Sequence, residues 1–275
     1  MTEKENVMSL GKVLDIKIKQ PKHTSSTIQA DTLFTFTTKL KYLLPFIKEK
    51  MITPRYCGEN FEYLKIKNLK SLAFPMRCFC DINMHRLDFH MQWYGYYGIA
   101  FKKEWGMSKG MQPIQYINPT SELCKDFSKA FSAALKLQEG KESSPQSKMK
   151  NFLLHELMYY KPYEGKMENR NTKKIENKCF TDECEWRYIP NVSIADFPQV
   201  LHNEKVVLQE FNEALKGLLA VSLQFEYDDV KYIIVKTQED FNILIQEIES
   251  LGIDTLEKNK LISKIIVWDE SGRDF

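Results

Sequence analysis

The chain has 275 residues, 43% hydrophobic and 28% charged, which supplies a sizeable apolar core and excludes a disordered or fibrous class. With 39 basic and 37 acidic residues the net charge is +2, so no global field draws nucleic acid or an anionic membrane. No apolar run approaches the ~20 residues of a membrane span, and the N-terminal MTEKENVMSLGK lacks a signal-peptide core, which points to a cytoplasmic location.

The N-terminal residues 1–30 read as an extension, frayed at first, with VLDIKIKQ at 13–20 alternating like a strand before Pro21. A single domain is expected over 1–275, with its core from about 31 to 270. Leu33-Phe34-Thr35-Phe36-Thr37 alternates, which puts Phe34 and Phe36 on a packing face and Thr35 and Thr37 on a hydroxyl-bearing one. Lys39 to Ile47 then follows helical spacing, with Thr37 or Thr38 as a cap. Pro75 to Asp81 alternates again as a second strand, and Asp81 or Asn83 caps a helix that runs to about Trp93.

Tyr94-Gly95-Tyr96-Tyr97-Gly98 cannot continue that helix, and Ile99-Ala100-Phe101 follows as a strand. Gly98 and Ala100 leave its other side small, either for a flat ligand or for tyrosines packed over a glycine hinge. A strand at Gln112–Ile117 precedes a helix over 121–137 with Leu123, Phe127, Phe131 and Leu135 on one face. Residues 139–150 and 164–178 read as charged loops around a short helix at 151–160. Thr181 to Pro190 reads as a strand with Cys184, Trp186 and Tyr188 packing and Glu183, Glu185 and Arg187 opposite. Three charges on one face need either water or a cleft, or else cross-strand ion pairs. A strand at 230–235, a helix at 239–251 and a strand at 262–268 complete the scaffold.

Metal chemistry has little support. Cys78 and Cys80, and Cys179 and Cys184, lack the spacing of zinc knuckles, so the six cysteines are expected as free thiols in a reducing compartment and no metal is expected. His85 and His90 are five apart and do not share a helix face. After His155-Glu156 the second histidine of a zinc-protease helix is missing.

Several motifs, in order, resemble the AbiGi-type abortive phage-infection family. They are Leu33 to Thr37, Pro54-Arg55-Tyr56-Cys57, Pro75 to Asp81, Tyr94 to Ile99, Lys103-Glu104-Trp105-Gly106 and Glu183 to Tyr188. More distantly, the order of the L-F-x-F-T, Y-G-x-Y-G-I and E-x-E-W-R segments is similar to proteins of ADP-ribosyltransferase-like fold. That second resemblance implies an α+β fold, a split mixed β-sheet with flanking helices, and an NAD cleft between its halves.

It also implies roles. Glu185 would stabilise the oxocarbenium-like cation formed as the nicotinamide–ribose bond breaks, and Glu183 would orient or deprotonate an acceptor. Thr35, Phe36 and Thr37, with Tyr94 and Tyr97, would contact NAD, and Arg187 would hold phosphate or the carboxylates. Relatives commonly have histidine where this chain has Thr35, which lacks the imidazole's reach and charge. The resemblance therefore carries two functional expectations: an NAD-using toxin of abortive infection, modifying a macromolecular acceptor, and a non-catalytic antitoxin that binds a partner protein. Nucleic acid is the weakest partner, because the 164–178 loop carries little net charge.

Overall fold

A computed structural model describes residues 30–137 and 144–271. The strand-like segment at 13–20 lies outside the described residues. In chain order the elements begin with β1 (Thr32–Thr37), α1 (Leu40–Glu49), β2 (Met51–Ile52), β3 (Arg55–Asn60), β4 (Ser71–Cys80), α2 (Leu87–Tyr94), β5 (Tyr97–Lys102) and α3 (Lys103–Ser108). Next come β6 (Gln112–Pro113), β7 (Gln115–Ile117), α4 (Glu122–Ala134), α5 (Pro145–Tyr159), β8 (Tyr160–Pro162), β9 (Glu164–Glu168), β10 (Ile175–Cys179) and β11 (Glu185–Tyr188). The chain ends through β12 (Leu201–His202), α6 (Lys205–Leu215), β13 (Leu223–Gln224), β14 (Val230–Val235), α7 (Gln238–Glu249), α8 (Thr255–Ile262), β15 (Ile265–Val267) and α9 (Trp268–Ser271).

Among the described residues nine strands form one mixed sheet, ordered β15-β14-β5-β1-β4-β11-β6, with β3 and β12 also on β4. β14 and β15 are parallel, joined by a crossover through α7 and α8, and the other pairs of this sheet are antiparallel. The sheet draws on residues from β1 to β15, so it ties both ends of the described chain into one α+β unit.

Strand alternation sets two layers. Leu33, Ile99, Phe101 and Ile233 meet α1, α7 and α8 through Leu43, Ile47, Leu244, Ile248 and Leu261. On the opposite face Phe34, Phe36, Cys80, Ala100 and Ile234 meet Leu87 and Met91 of α2 and Trp268. A strand covered on both sides hides its polar residues too, and the face of β1 expected to show hydroxyls holds Thr35 only 3% exposed. The long strand β4 extends beyond this sandwich into a second packing centre, where Phe74 and Met76 meet Phe127 and Phe131 of α4 and Leu153 and Leu157 of α5.

β4 also changes partners along its length. Met76 pairs with Arg55 of β3, the next residue, Arg77, pairs with Tyr188 of β11, and β1 touches β4 at Phe34 opposite Cys80. Thr35, Phe36 and Thr37 stay paired with β5. β1 and β4 are therefore paired at Phe34 and Cys80 within the one sheet, and among the described residues no further β1–β4 register pair follows toward Thr37.

Several local expectations are corrected. The segment 181–190 is not one strand: Phe180–Glu183 is a 3-10 turn and Cys184 has φ 41, so β11 starts only at Glu185. The 164–178 loop contains the β9–β10 hairpin, whose strands alternate charged residues with small or polar ones and so lack an apolar face. The short helix begins at Pro145 rather than 151, with Ser144 accepting a hydrogen bond from the Ser147 amide, a cap-and-proline start. In α4 Cys124 and Ala134 replace Leu123 and Leu135 on the buried face, because each four-residue step overshoots the 3.6-residue turn and the ends drift outward. Residues 112–117 divide between β6 and β7, which join different sheets, and α8 interrupts the run before the last strand. The N-cap of α1 is Lys39, not Thr37 or Thr38.

Candidate functional site: a buried carboxylate and cation cluster

The two glutamates converge where β11, β8 and β10 meet the end of α2. In β11 alternation keeps Glu185 and Arg187 on one face, opposite Cys80 and Cys78 of β4. The left-handed turn at Cys184 brings Glu183 to the same place from the preceding 3-10 turn. Contrary to the expected packing arrangement, this charged face is the more buried one: Glu183, Glu185 and Arg187 are 3%, 5% and 0% exposed, while Trp186 and Tyr188 are half-buried.

Burial on that scale demands partners, and each carboxylate oxygen has one. Arg187 donates from Nε to Glu185 Oε1 at 2.7 Å, from one terminal nitrogen to the Met158 carbonyl at 2.6 Å, and from the other to Glu59 Oε1 at 3.1 Å. Lys161 Nζ bridges Glu183 Oε2 at 2.5 Å and Glu185 Oε2 at 2.8 Å. Lys178 Nζ lies 2.6 Å from Glu183 Oε1, which also accepts from the Tyr94 hydroxyl. Three carboxylates, Glu59, Glu183 and Glu185, thus face three cations, Lys161, Lys178 and Arg187.

The electrostatics follow from this closure. Burial alone would raise the Glu185 carboxyl, but Arg187 and Lys161 hold it well below the usual carboxylate range. Glu183 is likewise lowered, burial being outweighed by Lys161 and Lys178. Burial works against charged Lys161, yet Glu185 and Glu183 keep its pKa raised. Lys178 behaves oppositely, with burial and the nearby Lys161 outweighing Glu183 and lowering it. Burial pushes the His90 imidazole, packed on the Tyr94 ring, down to about 3.

The other expected contact residues do not join this cluster. Phe34, Cys80 and Glu185 are consecutive cross-strand neighbours and share one face, so Thr35, opposite Ile99, lies on the other side of the sheet. There Thr35 accepts from Arg77 Nε at 3.0 Å. Thr37 bonds the Lys39 and Tyr97 carbonyls, and the Tyr97 hydroxyl donates to Asp240 of α7 at 3.1 Å. Phe36 is on the face of Glu185 but fills the space at Gly98, where an added Cβ would stand 2.6 Å from its ring. Gly95, with φ +109 and the Thr37 carbonyl against it, is a hinge that a side chain would block. The cluster thus takes Tyr94, Glu183, Glu185 and Arg187 of the expected set, while the sheet separates it from Thr35, Thr37 and Tyr97.

Sequence reasoning missed Glu59, Lys161, Lys178 and His90. Lys161 carried a signal, since it sits in the otherwise apolar Tyr159-Tyr160-Lys161-Pro162, where a lysine needs a carboxylate. Among the described residues no group of three or more His, Cys, Asp or Glu side chains could hold a metal ion, and no helix is long and apolar enough to cross a membrane.

Comparison with known proteins adds a family. Residues 50–236 match the family described as "Putative abortive phage resistance protein AbiGi, antitoxin". An abortive phage resistance protein AbiGi of Lactococcus lactis subsp. cremoris is 32% identical over 250 residues, covering 81% of this chain and 98% of that protein. No solved structure matches. The chain belongs to the AbiGi family.

Proposed function

We propose that this protein is a phage-resistance antitoxin, acting in the cytoplasm by binding a partner toxin protein rather than by catalysis. The carrying observation is the occupation of Glu183 and Glu185: both are buried and all four carboxylate oxygens are held by Lys161, Lys178, Arg187 or Tyr94. A carboxylate meant to stabilise a ribosyl cation must face that cation without a competing one. The position of Thr35 on the other face of the sheet supports the same reading, as does the antitoxin description of the matched family.

The alternative is an ADP-ribosyltransferase-like toxin using NAD, and it draws on the pairing of Glu183 with Glu185 beside Tyr94. It would require Lys161 and Arg187 to release Glu185 before NAD could be cleaved. Expression in a bacterial host separates the two. An antitoxin leaves growth unchanged alone and restores growth when co-expressed with the toxic product encoded beside it. Growth arrest by the chain alone, relieved by Glu185→Gln and accompanied by nicotinamide release from NAD in vitro, would overturn the antitoxin reading.

A further inference from the structure

A net charge of +2 conceals one surface where cations gather without acids. An open groove of about 500 Å³ is lined by Lys65, from the segment before β4, and by Ser128, Lys129, Ser132, Ala133 and Lys136 of α4. Its lining holds three cations, two hydroxyls and no carboxylate. The segment that supplies Lys65 also exposes Lys67 and Lys70.

Packing, not charge, fixes both walls. Between the exposed lysines, Leu64, Ile66 and Leu69 are buried in the centre that holds Phe127 and Phe131 of α4. The Lys65 amide donates to the Glu62 carbonyl at 3.0 Å and the Phe61 amide to the Lys70 carbonyl at 2.8 Å, which closes the segment at both ends. On α4, Ser128, Ser132 and Lys136 follow one another at four-residue steps, and Lys129 stands two turns before Lys136, about 10 Å along the axis. Little competes for these charges. Among the described residues Lys65 and Lys136 make no ion pair, and Lys129 meets Asp126 at 3.2 Å with both side chains largely exposed, a geometry that water and salt nearly cancel.

We propose that this groove binds the phosphate backbone of a nucleic-acid duplex, with Lys65, Lys129 and Lys136 set against phosphate charges and the Ser132 hydroxyl donating to a phosphate oxygen. Ser128 spends its own proton on the Cys124 carbonyl at 2.7 Å, so it shapes the wall without donating outward. Lysine is depleted in protein–protein interfaces, where aromatic residues, Met and Arg are enriched, and none of these lines the groove. Single strands are held by stacking on aromatic rings, which the lining also lacks. Lysine and serine together are the residue types that meet duplex phosphates, and such contacts position a duplex without reading its sequence. This partner is separate from a toxin, and the assignment does not depend on toxin binding.

Fluorescence polarisation of the full chain with labelled DNA and RNA duplexes of about 20 base pairs, with a single strand of the same length, and with poly-glutamate as an acidic-protein probe tests it. Three phosphate contacts give an expected slope of log K against log salt of about −2.7 on DNA, which is about a 40-fold loss between roughly 50 and 200 mM salt. Tighter binding of one duplex identifies DNA or RNA as the source of the phosphates. Lys65→Gln and Lys136→Gln, both at exposed sites, are each expected to reduce the slope by about 0.9 while melting like wild type. Lys166→Gln, exposed on the β9–β10 hairpin, is expected to leave it unchanged. No binding to either duplex at about 50 mM salt, groove variants with the wild-type slope, or an equal loss in Lys166→Gln would overturn the site. A single strand bound more tightly than both duplexes would overturn the duplex assignment, and poly-glutamate bound as tightly as the duplexes, with the same dependence on Lys65 and Lys136, would overturn it in favour of an acidic protein.

Discussion

Lys161 occupies the centre of the buried cluster because it is the cation shared by Glu183 and Glu185, and removing it leaves two carboxylates facing each other with fewer positive charges. Breaking a buried pair from one side costs about 3–5 kcal/mol, so Lys161→Met is expected to lower the urea midpoint strongly at pH 7. Acid should act on wild type in two stages. An unfolded histidine takes up its proton near pH 6.5, whereas folded His90 resists until about 3, so the unfolded chain binds more protons in between and stability falls from about pH 6.5 downward. Unfolded glutamates titrate near 4.3 while folded Glu183 and Glu185 titrate lower, so a steeper loss is added below about pH 5. Urea midpoints at pH 7, 5.5 and 4 measure both stages, and His90→Gln should remove the first alone. A wild-type midpoint that is flat from pH 7 to 5.5 would contradict a neutral, half-buried His90.

Hairpin β9–β10 closes over this cluster, and its attachments are few enough to name. Asn171 donates its amide to the Met91 and Gln92 carbonyls at 3.2 and 2.8 Å, and the Arg170 backbone amide donates to the Trp93 carbonyl at 3.2 Å. The Gln92 and Trp93 carbonyls are among those the end of α2 leaves without an intrahelical donor, while the Met91 carbonyl also accepts from the Gly95 amide at 2.8 Å. Lys178 then pins the second strand to Glu183. The outer face of the hairpin is exposed, with Ile175 at 70%, and Met167 and Arg170 add contacts with Tyr94 to those attachments, on which its local stability rests. Asn171→Ala is expected to speed tryptic cleavage at Lys166, Arg170, Lys173 and Lys174 severalfold while shifting the global melting temperature little, and timed digestion with mass spectrometry measures it. Equal cleavage rates in wild type and variant would show that the amide does not hold the hairpin. This element was illegible in sequence because its period of two sets charges against small or polar residues, as in Glu164-Gly165-Lys166-Met167-Glu168, rather than against an apolar face, whereas β1, β5 and β14 declared themselves through Phe34 and Phe36, Ile99 and Phe101, and Ile233 and Val235.

At the scale of the molecule, the shared face of Glu185 and Arg187 was readable because alternation is local, but Glu183 joins them through the left-handed turn at Cys184 and their closure by Lys161 and Lys178 depends on strands brought together by the fold. The sheet face on which Thr35 lies was likewise set by the register Phe34 to Cys80 to Glu185, which no single segment encodes. The same non-local logic governs the C-terminal elements, which lie beyond the family match ending at residue 236. β14 sits between β5 and β15, and its Ile233 and Val235 are fully buried with Leu244 and Ile248 of α7 and Leu261 of α8. Ending the chain after Lys236 would strip the outer strand from β14 and expose this entire apolar face, including Leu43 and Ile47 of α1. Loss of several buried side chains at roughly 1.5–3 kcal/mol each exceeds the ~5–15 kcal/mol stability of an ordinary domain. A chain of residues 1–236 is therefore expected to aggregate on expression and to lack a cooperative melting transition, although it retains every residue of the buried cluster. A soluble 1–236 chain with a sharp transition would mean that α7, α8 and β15 are an appendage, and that the matched segment carries its own core.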